Sequence, residues 1–259
     1  MTRSAKKILL NILYAAASIG LVLAVWAIAA AVVGTEFILP NIGETFEAFG
    51  TIFGDPTTRA RLFAGLGGTL ARSLLSFAVS FACFFLLFFL CTAFDVCARI
   101  IEPIISALRT LPTMALSLLL AIWAGGYYAP VIVGALVTMP YMYAAAKARN
   151  ATVQKELEEI CTLLGAGRVR TFGALWLPHV AAGLPEITSS AFSFGMKAVI
   201  SAEILMQTAN SLGHLMNLSK VYYETAMLIA FVFVAVVVAV VSEYIIKLAL
   251  RAALREYEE

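Results

Sequence analysis

Charge is scarce in this sequence. Aspartate, glutamate, lysine and arginine make up 13% of its 259 residues, about half the share of a soluble domain. The net charge of +2 is too small for a nucleic-acid binder built on a basic surface. Histidine occurs only at positions 179 and 214. The topology derived below sets His179 and His214 on opposite sides of a membrane, so they share neither a metal nor a catalytic dyad. Cys83, Cys91, Cys97 and Cys161 show no metal-ligand spacing and read as reduced thiols. Three motifs are also missing: the Gly-x-x-x-x-Gly-Lys-Ser/Thr phosphate loop, the Gly-x-Ser-x-Gly elbow and His-Glu-x-x-His. The chain is therefore expected to have no catalytic residue, no metal and no cofactor, and to hydrolyse no ATP itself.

What is present is apolar. Hydrophobic residues reach 62% and the mean hydropathy is +0.93. The fold class expected is an all-α polytopic membrane protein, one domain over 1–259 with its core at about 66–250. Apolar runs predict six spans, at about 8–33, 69–94, 103–124, 130–146, 183–206 and 225–247; the first and fourth carry no charge at all. The first run is long for a signal-peptide core, so it reads as retained; Ala29-Ala30-Ala31 leaves a cleaved signal as the lesser reading. Between spans 1 and 2, Ile42, Phe46, Phe49 and Phe53 recur on one helical face, as in a helix lying flat on a membrane. Arg72, near the start of span 2, is expected to snorkel to water. Asp95–Glu102 reads as a short polar turn, and Thr208–Glu224 as an outer loop. Gly125, Gly126 and Pro130 mark the turn between spans 3 and 4, while Pro112 and Pro140 are expected to bend the spans that hold them. Tyr127, Tyr128, Tyr141, Tyr143, Tyr222 and Tyr223 mostly flank spans, as an aromatic belt does.

Lysine and arginine are distributed unevenly. With the N-terminus inside, Arg3, Lys6, Lys7, Arg99, Lys147, Arg149, Lys155, Arg168, Arg170, Lys247, Arg251 and Arg255 fall on the cytoplasmic side. Only Arg59, Arg61 and Lys220 fall outside. The positive-inside rule then puts both termini in the cytoplasm, together with a charged loop at about 150–178 between spans 4 and 5.

That loop is patterned. Leu157, Ile160, Cys161 and Leu164 recur at i, i+3, i+4 and i+7, one apolar face of a short helix. Glu156, Glu158 and Glu159 crowd its start and Gly165 follows its end, matching helix start and stop chemistry. Val169, Phe172 and Trp176 then repeat helically up to Leu177-Pro178. The pattern predicts a helix–turn–helix at a membrane surface. Its plainest physical reading is an amphipathic helix lying on headgroups.

The same residues resemble the EAA motif of ABC importer permeases. Glu159 matches the motif's glutamate, Gly165 its glycine and Leu177-Pro178 its Leu-Pro, whereas Ile160 and Cys161 replace the two alanines. Leu39-Pro40 and the run Ala107-Leu-Arg-Thr-Leu-Pro112 resemble the sulfonate, nitrate and taurine branch of that family. The resemblance implies a bacterial inner-membrane permease for a small solute, with the coupling helix between helices 4 and 5. It further implies a homodimer in the lipid bilayer, two copies of a separate ATPase and an extracytoplasmic binding protein, with no nucleic acid. Leu157, Ile160, Cys161 and Leu164 would then meet the ATPase, while Glu159, Gly165 and Pro178 shape the loop.

Lys197 and Glu203 are ionisable groups in span 5 and must face protein or water. They either line the translocation path or a subunit contact, or pair structurally with another span, through Glu186 or Arg72 for example. Their phrase, Lys197-Ala-Val-Ile-Ser-Ala-Glu203, resembles the family's signature after the EAA loop. Two rivals remain. The membrane scaffold of an energy-coupling-factor vitamin importer would show two coupling helices, and one candidate is present. A secondary transporter would need no ATPase.

Overall fold

The computed structural model describes residues 3–153 and 155–254. Its regular structure among those residues is helical. In chain order the helices are α1 (Arg3–Val33), α2 (Ile42–Gly54), α3 (Pro56–Ala93), α4 (Asp95–Thr110), α5 (Thr113–Trp123) and α6 (Tyr128–Asn150). There follow α7 (Lys155–Leu163), α8 (Arg168–Thr171), a π-helical turn (Phe172–Trp176) and α9 (Leu177–Ala181). The last three are α10 (Leu184–Met206), α11 (Leu212–Val221) and α12 (Thr225–Ala253).

Among the described residues, four stretches are long and apolar enough to cross a membrane: Leu10–Val33, Pro56–Ala93, Tyr128–Asn150 and Thr225–Ala253. A fifth arises if α4 and α5 are one broken span, bent by 100°. α10 has the length but carries Glu186, Lys197 and Glu203, and it falls outside that set. The count by length and composition is thus four or five, against the six expected. The third span expected at about 103–124 differs most. It is two helices, because Leu111 and Pro112 are extended and Pro112 has no amide to continue the α4 ladder. Asp95–Glu102 is likewise the start of α4 rather than a turn. Its charged residues alternate with Val96, Ile100 and Ile101 at helical spacing.

The chain divides into two compact units, and the divisions fall inside α3, α11 and α12. The first comprises Met1–Leu62 and Leu215–Val234. Here α2 begins with a capping box: Asn41 accepts from the Glu44 amide, and the Glu44 carboxylate accepts from the Asn41 amide. Asp55 caps the next helix by accepting from the Thr58 amide and hydroxyl, which hold its carboxyl below the usual carboxylate range. The face α2 buries is Thr45, Ala48 and Ile52, while Phe46 stays exposed. Phe49 leans on Phe233, which also stacks on Trp26. The Trp26 indole donates to the Pro40 carbonyl at 3.0 Å, fixing the return of the chain after α1.

The second unit comprises Phe63–His214 and Ala235–Glu259. Its core packs α6 against α10 with almost no spacing. A Cβ at Gly134 would meet Ser76 and Val199, and one at Gly195 would meet the Thr138 hydroxyl. Small residues let helix backbones approach in this way where lipid offers no hydrophobic drive to pack. A second layer of large side chains gathers Phe84, Phe88, Met142, Tyr143, Phe172 and Trp176, and so carries the loop after α6 into the core.

Candidate functional site: the loop after α6 and a buried ion pair

The loop is built by backbone chemistry at Gly165. This residue has φ +68, the left-handed region that a side chain disfavours. The Gly165 amide donates to the Thr162 carbonyl, and the Ala166 amide donates to the Cys161 carbonyl at 2.9 Å. These two bonds form a Schellman motif, which satisfies the last carbonyls of α7 and turns the chain. Gly167 is extended and starts α8. The helix then widens to the π turn before Pro178. Proline has no amide to offer the Ala174 carbonyl, and an α-turn would press its ring against that group.

Within the second unit four sets of polar contacts brace this loop and the helices at its ends. The Trp176 indole donates to Glu158 Oε1 at 2.9 Å, joining the two limbs of the loop. Arg168 pairs with Asp95 at the start of α4. Lys147, in the last turn of α6, meets Glu102 at 2.6 Å, and the Tyr143 hydroxyl donates to the same carboxylate oxygen at 3.0 Å. Arg149 Nε donates to the His179 carbonyl at 2.8 Å. Gly183 leaves room for that guanidinium, which a Cβ there would strike.

One face of α7 has no cover among the described residues. Leu157 is 43% exposed, Ile160 50%, Leu163 85% and Leu164 79%. Glu159 is exposed, and Cys161 and Pro178 are half-buried. Sequence periodicity identified Leu157, Ile160, Cys161 and Leu164 but not Leu163, which stands beside Leu164 and is the most exposed of the group. It also missed the bond between Glu158 and Trp176, whose spacing across two elements leaves no periodic trace.

The second site lies where α3, the end of α10 and the start of α11 meet. Glu203 is fully buried and Arg72 is 1% exposed. Arg72 Nε donates to Glu203 Oε1 at 2.7 Å, and Arg72 Nη2 donates to the Asn210 carbonyl at 2.9 Å. The Thr69 hydroxyl donates to Glu203 Oε2 at 2.8 Å and accepts from the Leu212 amide at 2.9 Å. The guanidinium also lies over the Tyr127 ring, 5.0 Å from its centroid. Arg72 thus does not snorkel; a carboxylate and a carbonyl inside the protein take the place of water. Of the two readings open for Glu203, the geometry matches the structural pair. Lys197, two turns earlier, is exposed instead. Glu186 meets Lys247 at 3.4 Å and Arg251 at 2.6 Å near the start of α10.

Residues 94–255 match the family of binding-protein-dependent transport system inner membrane components. The chain belongs to that family. The match runs from the break before α4 to the end of α12; it includes the loop after α6 and Glu203 of the buried pair, whereas Thr69 and Arg72 on α3 lie before it. Among solved structures, a chain of the MetNI methionine ABC transporter in inward-facing conformations is similar in fold. The TM-score is 0.64 at 17% identity, over 78% of this chain and 99% of that one. A second crystal form of MetNI gives 0.54 at 16%, over 76% and 94%. Curated protein sequences gave no significant match. Permeases of this family are membrane transport components of ABC importers rather than enzymes, and the multi-pass helical fold here accords with that.

Proposed function

We propose that this permease is the membrane subunit of an ATP-driven importer for a small solute of the sulfonate, nitrate or taurine kind. It works as a homodimer in the bacterial inner membrane, with both termini in the cytoplasm. Two copies of a separate ATPase and an extracytoplasmic binding protein complete the importer. The observation that carries the reading is the uncovered apolar face of α7. Leu157, Ile160, Leu163 and Leu164 stand out on a short helix that the Gly165 turn and the Glu158–Trp176 bond hold rigid. Such a patch on a charged loop is a docking surface for a partner protein.

Glu159, Gly165 and Pro178 shape the loop; Cys161 closes the contact face. When the ATPase pair closes on ATP, α7 is pushed; the Glu158–Trp176 bond passes the push to the π turn, and the Arg168–Asp95 and Arg149–His179 contacts pass it from the loop to α4 and α6. The solute class rests on the likeness of Leu39-Pro40 and Ala107–Pro112 to one branch of the family.

Cysteines placed at Ile160 and Leu164, cross-linked in the native assembly, are expected to capture an ATPase subunit. Cross-links that reach no ATPase, or labelling of these cysteines from outside the cell, would overturn the coupling role.

A further inference from the structure

Arg109 and Lys197 have no part in the coupling loop or in the buried pair. Both are exposed. Among the described residues neither has a carboxylate partner, although Lys147, Arg72, Arg168, Lys247 and Arg251 all do. Arg109 stands at the 100° break between α4 and α5. There it lines a cavity of about 200 Å³ together with Leu111, Thr113, Tyr141 and Phe194. Tyr141 and Phe194 stack with their centroids 5.3 Å apart. Phe194 and Lys197 are one turn apart on α10, so they share a face.

This face has an unusual composition. Around Tyr141, residues 138–140, 142 and 143 are buried; around Phe194 and Lys197, residues 195, 196 and 198–200 are buried. Over residues 138–143 of α6 and 191–200 of α10, Tyr141, Phe194 and Lys197 are the exposed side chains. All lie near the middle of helices expected to cross the bilayer, and Arg109 lies near the middle of the bent pair. A lysine at that depth cannot rest in hydrocarbon, so the face meets water or a polar partner. A broken helix at membrane depth is tolerated for the same reason, where it lines a wet cavity.

We infer that this rung of Arg109, Lys197 and the Tyr141–Phe194 stack lines the solute path and binds an anionic group on the passing solute. The inference rests on the importer reading proposed above and adds to it the residues that would read the solute's charge. Two cations with no carboxylate paired to either among the described residues raise the local potential, which attracts anions and repels cations. The aromatic stack supplies a flat apolar wall against which the rest of a small organic solute can slide.

The test uses the full chain in native membranes, in a background with the four native cysteines replaced by alanine. Thr113→Cys puts a thiol in the cavity. It is treated in turn with a negatively charged sulfonate thiosulfonate and a positively charged trimethylammonium thiosulfonate. Each rate is divided by that reagent's rate with a free small thiol. The anionic reagent is expected to be favoured by about tenfold, since two unit charges several ångströms away in a wet site each contribute about threefold. Arg109→Gln and Lys197→Gln should each lower the preference by about threefold, and Arg109→Lys should keep it. Equal corrected rates, or a preference that neither glutamine variant moves, would overturn the inference. So would a thiol that neither reagent reaches, since the face would then be covered by lipid or by a second copy. The rates are read on the permease alone. They therefore stand or fall separately from the capture of an ATPase by α7.

Discussion

At the scale of single residues, Glu203 carries the heaviest demand. Its carboxylate has lost all contact with water, and Arg72 Nε, the Thr69 hydroxyl and, at 3.4 Å, the Gly213 amide replace it. Breaking one side of a buried pair leaves an uncompensated charge, which costs about 3–5 kcal/mol. Glu203→Gln should therefore lower the melting midpoint of the detergent-purified protein by many degrees. The double variant Arg72→Met with Glu203→Leu should recover most of the loss, because an apolar pair of similar volume removes the charge problem. A single variant that melts like the parent would mean that Arg72 finds another anion. Neither partner names the other in the sequence. Arg72 and Glu203 are 131 positions apart, and the alternative of snorkelling to water looks identical on paper. Gly165 is the opposite case. Its place after an apolar helical face already signals a left-handed stop, and the backbone has φ +68 there.

At the scale of elements, the loop between α6 and α10 works as one piece because α7 and the π turn are joined through a single indole. Trp176 fills the core beside Phe88 and Phe172, while its N–H reaches Glu158. Trp176→Phe keeps the aromatic bulk and deletes only the donor, at a cost of about 1–3 kcal/mol for the bond and its stranded partner. The expected result is an importer that still assembles but whose ATPase is stimulated several-fold less by the loaded binding protein. Glu158→Gln, which still offers an acceptor, should retain stimulation. Full stimulation in Trp176→Phe would show that packing alone holds the angle of the loop. The helical character of this loop was legible from Leu157, Ile160, Cys161 and Leu164. Its strut was not, since hydrogen bonds between elements obey no period. The broken helix was half legible. Pro112 announces a disturbance, but a kink and a 100° break differ only in which neighbours satisfy the freed carbonyls.

At the scale of the whole molecule, composition was enough to read a helical membrane protein, and the charge bias was enough to propose its orientation. In that orientation, Lys220→Cys in a cysteine-free background should react with an impermeant maleimide in intact cells. Arg170→Cys should react only after the membrane is opened. The reverse pattern would invert the proposed topology and put α7 out of reach of any cytoplasmic motor. The number of crossings was less legible. Helix α10 has the length of a span, but Glu186, Lys197 and Glu203 dilute it. By length and composition it therefore falls outside the candidate spans.

The contact between α6 and α10 has a mechanical corollary. Gly134 and Gly195 bring the two rods together so tightly that even a methyl group would foul them. The loop joins their lower ends like the stem of a tuning fork whose prongs have been welded. A push on the stem cannot splay them; it can only tip the pair as a single beam.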